Sequence, residues 1–103
     1  MSKEYKDFLY KILNLLENAE NFMKRNKHII AYNHMLGVQQ KLGRIDGEKK
    51  VLLGVEKIRT NGTIYYLKEG RYKEALDNIK ELKINFYKRY EKVKNENNNN
   101  RKV

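Results

Sequence analysis

Residues 55–67 read VEKIRTNGTIYYL, and the fold class depends on the backbone that they adopt. Asn61-Gly62 is the preferred pair for a two-residue type I′ turn, in which both positions need a positive φ. The Thr, Ile and Tyr residues on either side are typical of strands. A turn at this pair would place Ile58 opposite Tyr65 on one face of a hairpin. The local pattern therefore favours a short β-hairpin.

The same stretch also fits a helix, because Val51, Val55, Ile58, Tyr65 and Tyr66 recur at heptad-like spacing. Such a helix would carry Thr-Asn-Gly-Thr in its middle, where glycine has a low helix propensity. We therefore prefer the hairpin and keep the helix as the alternative. A helix through residues 60–63 would remove the main support for the hairpin.

Helices are predicted on the N-terminal side of this stretch. Apolar residues recur at helical spacing over residues 3–24 and again from His28, and residues 48–53 return to a helical pattern. Four glycines interrupt residues 37–54, and each costs a helix interior about 1 kcal/mol relative to alanine. The pattern does not fix where the third helix begins.

The segment after Gly70 carries the clearest helical pattern, with apolar residues at the alternating a and d positions of a coiled coil. A seam of this length needs a partner, and the simplest partner is the same helix of a second copy. The Asn-rich end of the chain is predicted to be disordered. The predicted dimer interface consists of Tyr72, Ala75, Ile79, Leu82, Phe86, Tyr90 and Val93.

Three helices, a hairpin and a long helix follow one another in the order of a winged helix-turn-helix. The predicted fold is mainly α with a short β-hairpin: a winged helix-turn-helix followed by a long C-terminal coiled-coil helix. This prediction divides the chain into a winged-helix domain at 1–69, a dimerisation helix at 70–95 and a disordered tail at 96–103.

The charge of the chain indicates an acidic partner. Lys and Arg number 23 against 13 Asp and Glu, which gives a formal net charge of +10. Lys, Asn, Ile and Tyr, which all use AT-rich codons, make up close to half of the sequence, so codon bias also contributes to this excess. The charge is therefore moderate evidence for nucleic acid.

Several classes of site are not expected. The chain has no Cys, which excludes disulfides and thiolate metal sites, and His28 and His34 have no ligand set around them. No apolar run is long enough to span a membrane, and the N-terminal segment is too charged for a secretory signal. No catalytic constellation or phosphate-binding glycine loop is found. We expect a non-enzymatic protein without metal or cofactor, in the cytoplasm and associated with the nucleoid.

Residues 50–62, KVLLGVEKIRTNG, are followed by Tyr65-Tyr66-Leu67 and by Gly70 before a long helix. This segment resembles the small archaeal winged-helix proteins of the crenarchaeal chromatin type. The resemblance implies a recognition helix that ends in an aliphatic cluster, a short strand, a tight turn and a second strand. It also implies a homodimer through an antiparallel coiled coil, and binding of double-stranded DNA with little sequence preference. Residues 28–49 depart from the family pattern through their extra glycines.

A winged helix-turn-helix inserts its recognition helix into the major groove, and its wing rests on the backbone or an adjacent groove. Gln and Arg can contact base edges, whereas Lys mostly meets phosphate, so binding should weaken steeply with salt. The predicted DNA-binding residues are Gln39, Gln40, Lys41, Arg44, Lys49 and Lys50 in the helical segment and Lys57, Arg59 and Asn61 near the wing.

The predicted function is therefore non-catalytic binding of double-stranded DNA by a dimer, as a chromatin-type architectural protein or a transcription regulator. The alternative is a small helical protein-interaction module, such as a viral inhibitor or adaptor without a nucleic-acid role. A helix over residues 51–68 would favour this alternative.

Overall fold

The computed structural model describes residues 3–45 and 47–101, and all regular secondary structure in this part of the chain is helical. Because these residues contain no strand, the predicted winged helix with a β-hairpin is wrong. The helices predicted over residues 3–24 and from His28 are confirmed. The five helices are α1 (Lys3–Lys24), α2 (His28–Gly43), α3 (Glu48–Leu52), α4 (Gly54–Lys68) and α5 (Tyr72–Arg101).

Four of these helices form an up-down-up-down bundle, and the short α3 leads into α4. Helix α1 packs against α2 and α5, and α4 packs against the same two helices. Only residues 25–27 join α1 to α2, and only residues 69–71 join α4 to α5, so each pair runs antiparallel. Asn26 and Gly70 in these connections have φ values of 61° and 72°, the left-handed conformation that commonly ends a helix.

The core lies between the four long helices. Helix α1 buries Leu9, Ile12 and Leu16 at helical spacing, and α2 and α5 contribute comparable apolar rows. Helix α4 differs from the others, because Thr60 and Thr63 are fully buried on its core side. Helices α1, α2 and α5 therefore present apolar faces to the core, and the core face of α4 is partly polar.

The buried threonines explain why residues 60–63 form a helix instead of a turn. Thr60 Oγ1 donates a hydrogen bond to the carbonyl of Glu56, and Thr63 Oγ1 donates one to the carbonyl of Arg59, each at 2.8 Å. A hydroxyl bonded to its own helix can face an apolar core without leaving a buried polar group unpaired. Packing on both sides of α4 then overrides the local preference of Asn-Gly for a turn.

Substitution of Gly62 distinguishes this helix from a hairpin by the sign of the effect. Gly62→Ala is expected to raise the free energy of unfolding by about 0.5–1 kcal/mol, because alanine has the higher helix propensity. A Cβ at position 62 meets no heavy atom within 4 Å, so the methyl group fits. The measurement is urea unfolding at low protein concentration. In a type I′ turn the same change would destabilise the chain, and that outcome would contradict α4.

The seam predicted to form a dimer interface faces the core of its own chain. Ala75, Ile79, Leu82 and Phe86 are fully buried and Val93 nearly so, because α1 and α4 cover α5. The other two seam residues, Tyr72 and Tyr90, are partly exposed. The a/d pattern is thus satisfied inside one bundle and needs no second copy.

Helix α5 also bears on the predicted division of the chain. It packs along α1 and α4, so residues on both sides of position 70 share one core. The helix continues to Arg101, through most of the predicted tail, and residues 102 and 103 lie outside the described part of the chain.

A buried carboxylate ties α1 to α5. Glu20 is almost fully buried and accepts a hydrogen bond from Lys83 Nζ at 2.9 Å, and Lys24 Nζ lies 2.9 Å from its other oxygen. Lys83 also donates to Glu17. Burial alone would raise the pKa of Glu20, but the hydrogen bonds from Lys24 and Lys83 outweigh it and lower the pKa below the ordinary value.

The lowered pKa of Glu20 predicts a loss of stability in acid. The unfolded chain binds a proton at Glu20 more readily than the folded chain, so stability rises with pH in this range. The contribution is present above the unfolded pKa of about 4.5 and is lost as the pH falls through the lowered folded value. Glu20→Gln should therefore flatten the rise in unfolding free energy between about pH 3 and pH 6. An unchanged slope in urea titrations would contradict this assignment.

Candidate interaction surface

An apolar row runs along α3 and α4 on the side away from the core. Val51 is 82% exposed, Val55 62%, Ile58 73% and Tyr65 55%. Together with Gly62 they follow one another at intervals of four, three, four and three residues, which keeps them on one face of a helix. We call these five residues the outer row.

The outer row makes α4 apolar on its solvent side as well as on part of its core side. The core side buries Ile64 and Leu67 together with Glu56, Thr60 and Thr63. The solvent side presents two branched aliphatic side chains and an aromatic ring. Single exposed apolar residues are common on protein surfaces, but contiguous apolar patches mark interaction sites. The outer row is continuous over about four helical turns.

Gly62 lies in the middle of the outer row, and nothing in the chain requires a glycine there. Its φ is not positive, since only Gly47 and Gly70 among the described glycines have positive φ. No atom of the chain would contact a Cβ at this position within 4 Å. A glycine inside a helix costs about 1 kcal/mol relative to alanine. What Gly62 leaves is a notch in the surface, one helical turn from Ile58 and from Tyr65.

Polar contacts lie along both edges of the outer row. On the α2 side, Gln39 Nε2 donates a hydrogen bond to Asn61 Oδ1 at 2.9 Å. On the α5 side, Arg59 lies 3.9 Å from a carboxylate oxygen of Glu81. The charge of Arg59, beside Ile58, is thus partly balanced within the chain.

A buried ion pair also fixes α4 against α5. Glu56 is almost fully buried, and Arg89 Nη2 donates to both of its carboxylate oxygens at 3.1 Å. The same nitrogen donates to the carbonyl of Leu52 at 2.8 Å. These bonds anchor the start of α4, so the outer row points away from the bundle.

The structure distributes the nine predicted DNA-binding residues over α2, α3, α4 and the connection between α2 and α3. Gln39 and Asn61 bond to each other, and Arg59 pairs with Glu81. Gln40 and Lys50 are exposed, and Lys57 is half-buried. The wing that was to present Lys57, Arg59 and Asn61 is absent from the described part of the chain, because these residues lie on α4.

The structure does bring three of the predicted cations together. Lys41, Arg44 and Lys49 line a hollow of about 410 Å³ at one end of the bundle, beside the rings of Tyr5 and Phe8. One acidic residue, Glu4, also lines it, so cations outnumber carboxylates three to one. Lys49 Nζ lies 4.2 Å from the centroid of the Tyr5 ring, a cation–π distance. Burial raises the pKa of the Tyr5 hydroxyl, although the nearby Arg89 opposes the shift. We call this site the basic hollow.

A second hollow, of about 680 Å³, lies between α1 and α5. Tyr10 and Tyr90 form its aromatic part, with ring centroids 6.1 Å apart. Leu13, Ile84 and Tyr87 also line it, with charged groups from both helices, and a hydrogen bond to Glu91 raises the pKa of Tyr87. Ile84 and Tyr87 are about half exposed, so this hollow is a further apolar surface in addition to the outer row.

The histidines take part in local contacts. His28 stacks on Tyr72 with ring centroids 3.5 Å apart, and His34 Nδ1 donates to the carbonyl of Ile30 at 2.8 Å. Among the described residues, no group of three or more His, Asp and Glu side chains could hold a metal ion. Within the same residues, no helix combines the length and the apolar character needed to cross a membrane.

Sequence reasoning found the spacing of the outer row but did not identify it as a surface. Val51, Val55, Ile58 and Tyr65 were recognisable as one helical face, and such a face is normally assigned to the core. The signal that could have corrected this is the opposite face, since Thr60 and Thr63 can bond to their own helix when buried.

Comparisons of the chain with protein-family models, with curated proteins and with solved structures give no match. Helix α4 occupies the positions of both strands and the turn that the resemblance to chromatin-type proteins implies. The arguments on function therefore start from the contacts, burial and charge of the described residues.

Proposed function

We propose that this chain is a non-catalytic helical interaction module, which binds a helix of another polypeptide through the outer row. The observation that carries the proposal is the exposed apolar side of α4, where Val55 and Ile58 face solvent although the helix already packs on the core with its other side. Amphipathic helices bind through anchors at such intervals of three and four residues. The sequence alternative of a protein-interaction module is thus the better supported one.

The outer row offers apolar surface that a partner helix can cover. Covering each of its four side chains would contribute on the order of 1–2 kcal/mol, because all four are more than half exposed. The sum, roughly 4–8 kcal/mol, is comparable with the loss of translational and rotational freedom on association. A stable complex therefore also requires the apolar groups of the partner helix and contacts beside the row.

Site-specific photocrosslinking in the source cells tests the proposal. Replacing Ile58 with p-benzoylphenylalanine places a photoreactive ketone in the outer row, and replacing the exposed Lys80 of α5 places it on a polar face as a control. Discrete covalent adducts with a polypeptide are expected from position 58 and not from position 80. No adduct at position 58, or the same adducts at both positions, would refute the proposal.

A second candidate function is non-specific binding of double-stranded DNA through the basic hollow. The observation that favours it is the meeting of Lys41 and Arg44, at the end of α2, with Lys49 of α3, in a molecule of net charge +10. Clustered cations bind the phosphate backbone without reading sequence, and they release counterions when they do so.

A gel-shift titration tests this candidate. Wild-type chain is expected to shift duplex DNA at low salt, with log K falling by about 0.9 per phosphate contact for each tenfold rise in salt. Lys41→Glu/Arg44→Glu should abolish the shift. Lys73→Glu/Lys80→Glu, which makes the same change of charge at exposed positions of α5, should retain most of it. Equal losses in both variants would leave only a general effect of charge and would exclude the basic hollow.

A further inference from the structure

We infer that the helix bound by the outer row is α4 of a second copy of this chain, in antiparallel orientation. The inference rests on the proposed function, because it identifies the occupant of the same surface. It depends on two observations, the symmetry of the outer row and the unexplained notch at Gly62, and the charge of the chain determines its dependence on salt.

Four of the five members of the outer row pair with one another when the row is reversed. An antiparallel pair centred on position 60 places Ile58 of one copy opposite Gly62 of the other, and Val55 opposite Tyr65. Val51 then lies opposite Glu69, outside these pairs. Each pair joins a larger side chain to a smaller one, as tight packing of two helices requires. A parallel pair would instead place Gly62 against Gly62 and Tyr65 against Tyr65, which leaves a void beside a steric conflict.

In this arrangement a side chain of the second copy fills the notch at Gly62. No atom of its own chain occupies the space of a Cβ at position 62, and Ile58 is 73% exposed with no cover from its own chain. The pairing inserts the second copy's Ile58 side chain into this notch, twice per dimer by symmetry. The cost of a glycine within α4 is then offset by a closer approach of the two helices.

The charges along the edges allow contact between two copies but resist it at low salt. Beside the row, Arg59 is paired with Glu81 of its own chain, so the nearest cation is partly balanced. Each copy nevertheless carries a net charge of +10. Salt screens this repulsion and leaves the apolar contact intact, so self-association should strengthen as salt rises. Binding of an acidic helix or of nucleic acid would weaken under the same change.

Analytical ultracentrifugation of the purified full-length chain is the first test. The wild type is expected to show a monomer–dimer equilibrium whose association constant rises between low and high salt. Gly62→Lys should remove the dimer, because it places two ammonium groups in an apolar interface, while its side chain meets open space in the monomer. Asn18→Lys, which makes the same change of charge at an exposed position of α1, should dimerise like the wild type. Circular dichroism checks that both variants remain helical.

Disulfide trapping tests the orientation, since the chain contains no other cysteine. Ile58→Cys and Gly62→Cys variants are mixed in equal amounts and oxidised. The antiparallel pairing predicts that mixed 58–62 disulfides form several times faster than 58–58 or 62–62 disulfides, because only the mixed pair brings the two Cα atoms close enough for a bridge. A preference for like pairs would overturn the antiparallel arrangement.

The outcomes separate the inference from the proposed function. A chain that stays monomeric at all salt concentrations, yet crosslinks from position 58 to a different polypeptide, overturns the inference and retains the proposed function. A monomeric chain that gives no crosslink at position 58 overturns both. A dimer that persists in Gly62→Lys forms through another surface and also overturns the inference.

Discussion

Phe86→Ala is expected to lower the free energy of unfolding by about 3–5 kcal/mol, because the ring is fully buried between α5 and its neighbours. Small domains are stable by only about 5–15 kcal/mol, so the variant would lie close to its unfolding threshold. The loss should be independent of protein concentration, since the seam that contains Phe86 packs within one chain. Urea unfolding at two protein concentrations measures both quantities.

Two further variants keep this prediction testable. If Phe86→Ala does not fold, Phe86→Leu retains most of the side-chain volume and should cost about 1–1.5 kcal/mol. Tyr87→Ala changes the adjacent but exposed residue and should cost about 0.5 kcal/mol or less. A loss for Phe86→Leu that disappears at high concentration would mean that the seam joins two copies after all.

Arg89→Leu is expected to cost about 2–4 kcal/mol, because it leaves the buried carboxylate of Glu56 without its cation. The Arg89 side chain is 31% exposed, and solvent screening places the loss below that of a fully buried pair. The double variant Glu56→Leu/Arg89→Leu should be clearly more stable than Arg89→Leu alone, since no unpaired charge remains. Thermal unfolding of the three proteins in one buffer gives the comparison.

One result of the double-mutant cycle would contradict this ion pair. If the losses of Glu56→Leu and Arg89→Leu simply add in the double variant, the two side chains are not coupled, and the ion pair does not hold α4 to α5. A coupling of 1 kcal/mol or more is about what a close pair with one buried partner should give.

The helices that bury their apolar face in the core could be predicted from the sequence. Residues 3–24 and the seam after Gly70 have a strong period, and both form helices. The partner of the seam could not be predicted, because the a/d period is the same for a coiled coil between copies and for a bundle within one chain. The two arrangements differ only in whether α1 and α4 are available to cover α5.

Helix α4 could not be predicted for a different reason. Asn61-Gly62 is a strong local signal for a turn, and it fails because tertiary structure favours the helix. Gln39 of α2 bonds to Asn61, and Thr60 is buried in the core, where its hydroxyl bonds to its own helix. Propensity is a weak prior that tertiary packing routinely overrides.

The candidate surface was predictable only in part. The spacing of Val51, Val55 and Ile58 was visible, but no rule of periodicity tells which side of a helix faces water when the other side carries threonines. Among the predicted cations, Lys41, Arg44 and Lys49 meet in the basic hollow, in a fold that the hairpin pattern did not indicate.

The exposed apolar side of α4 has a consequence for the energy landscape of the chain. Rotating α4 by half a turn about its axis would bury Val55 and Ile58. It would also expose Ile64 and Leu67, which are buried in the native orientation. Apolar burial therefore gives little preference between the two orientations. This is local frustration, a competing minimum that apolar packing does not exclude and that other interactions must disfavour. Directional polar contacts do so, because the rotated helix would lose the bond between Gln39 and Asn61 and leave Arg89 and Glu56 apart. Hydrogen bonds and ion pairs thus specify which face of α4 remains in solvent, where a hydrophobic core would normally decide it.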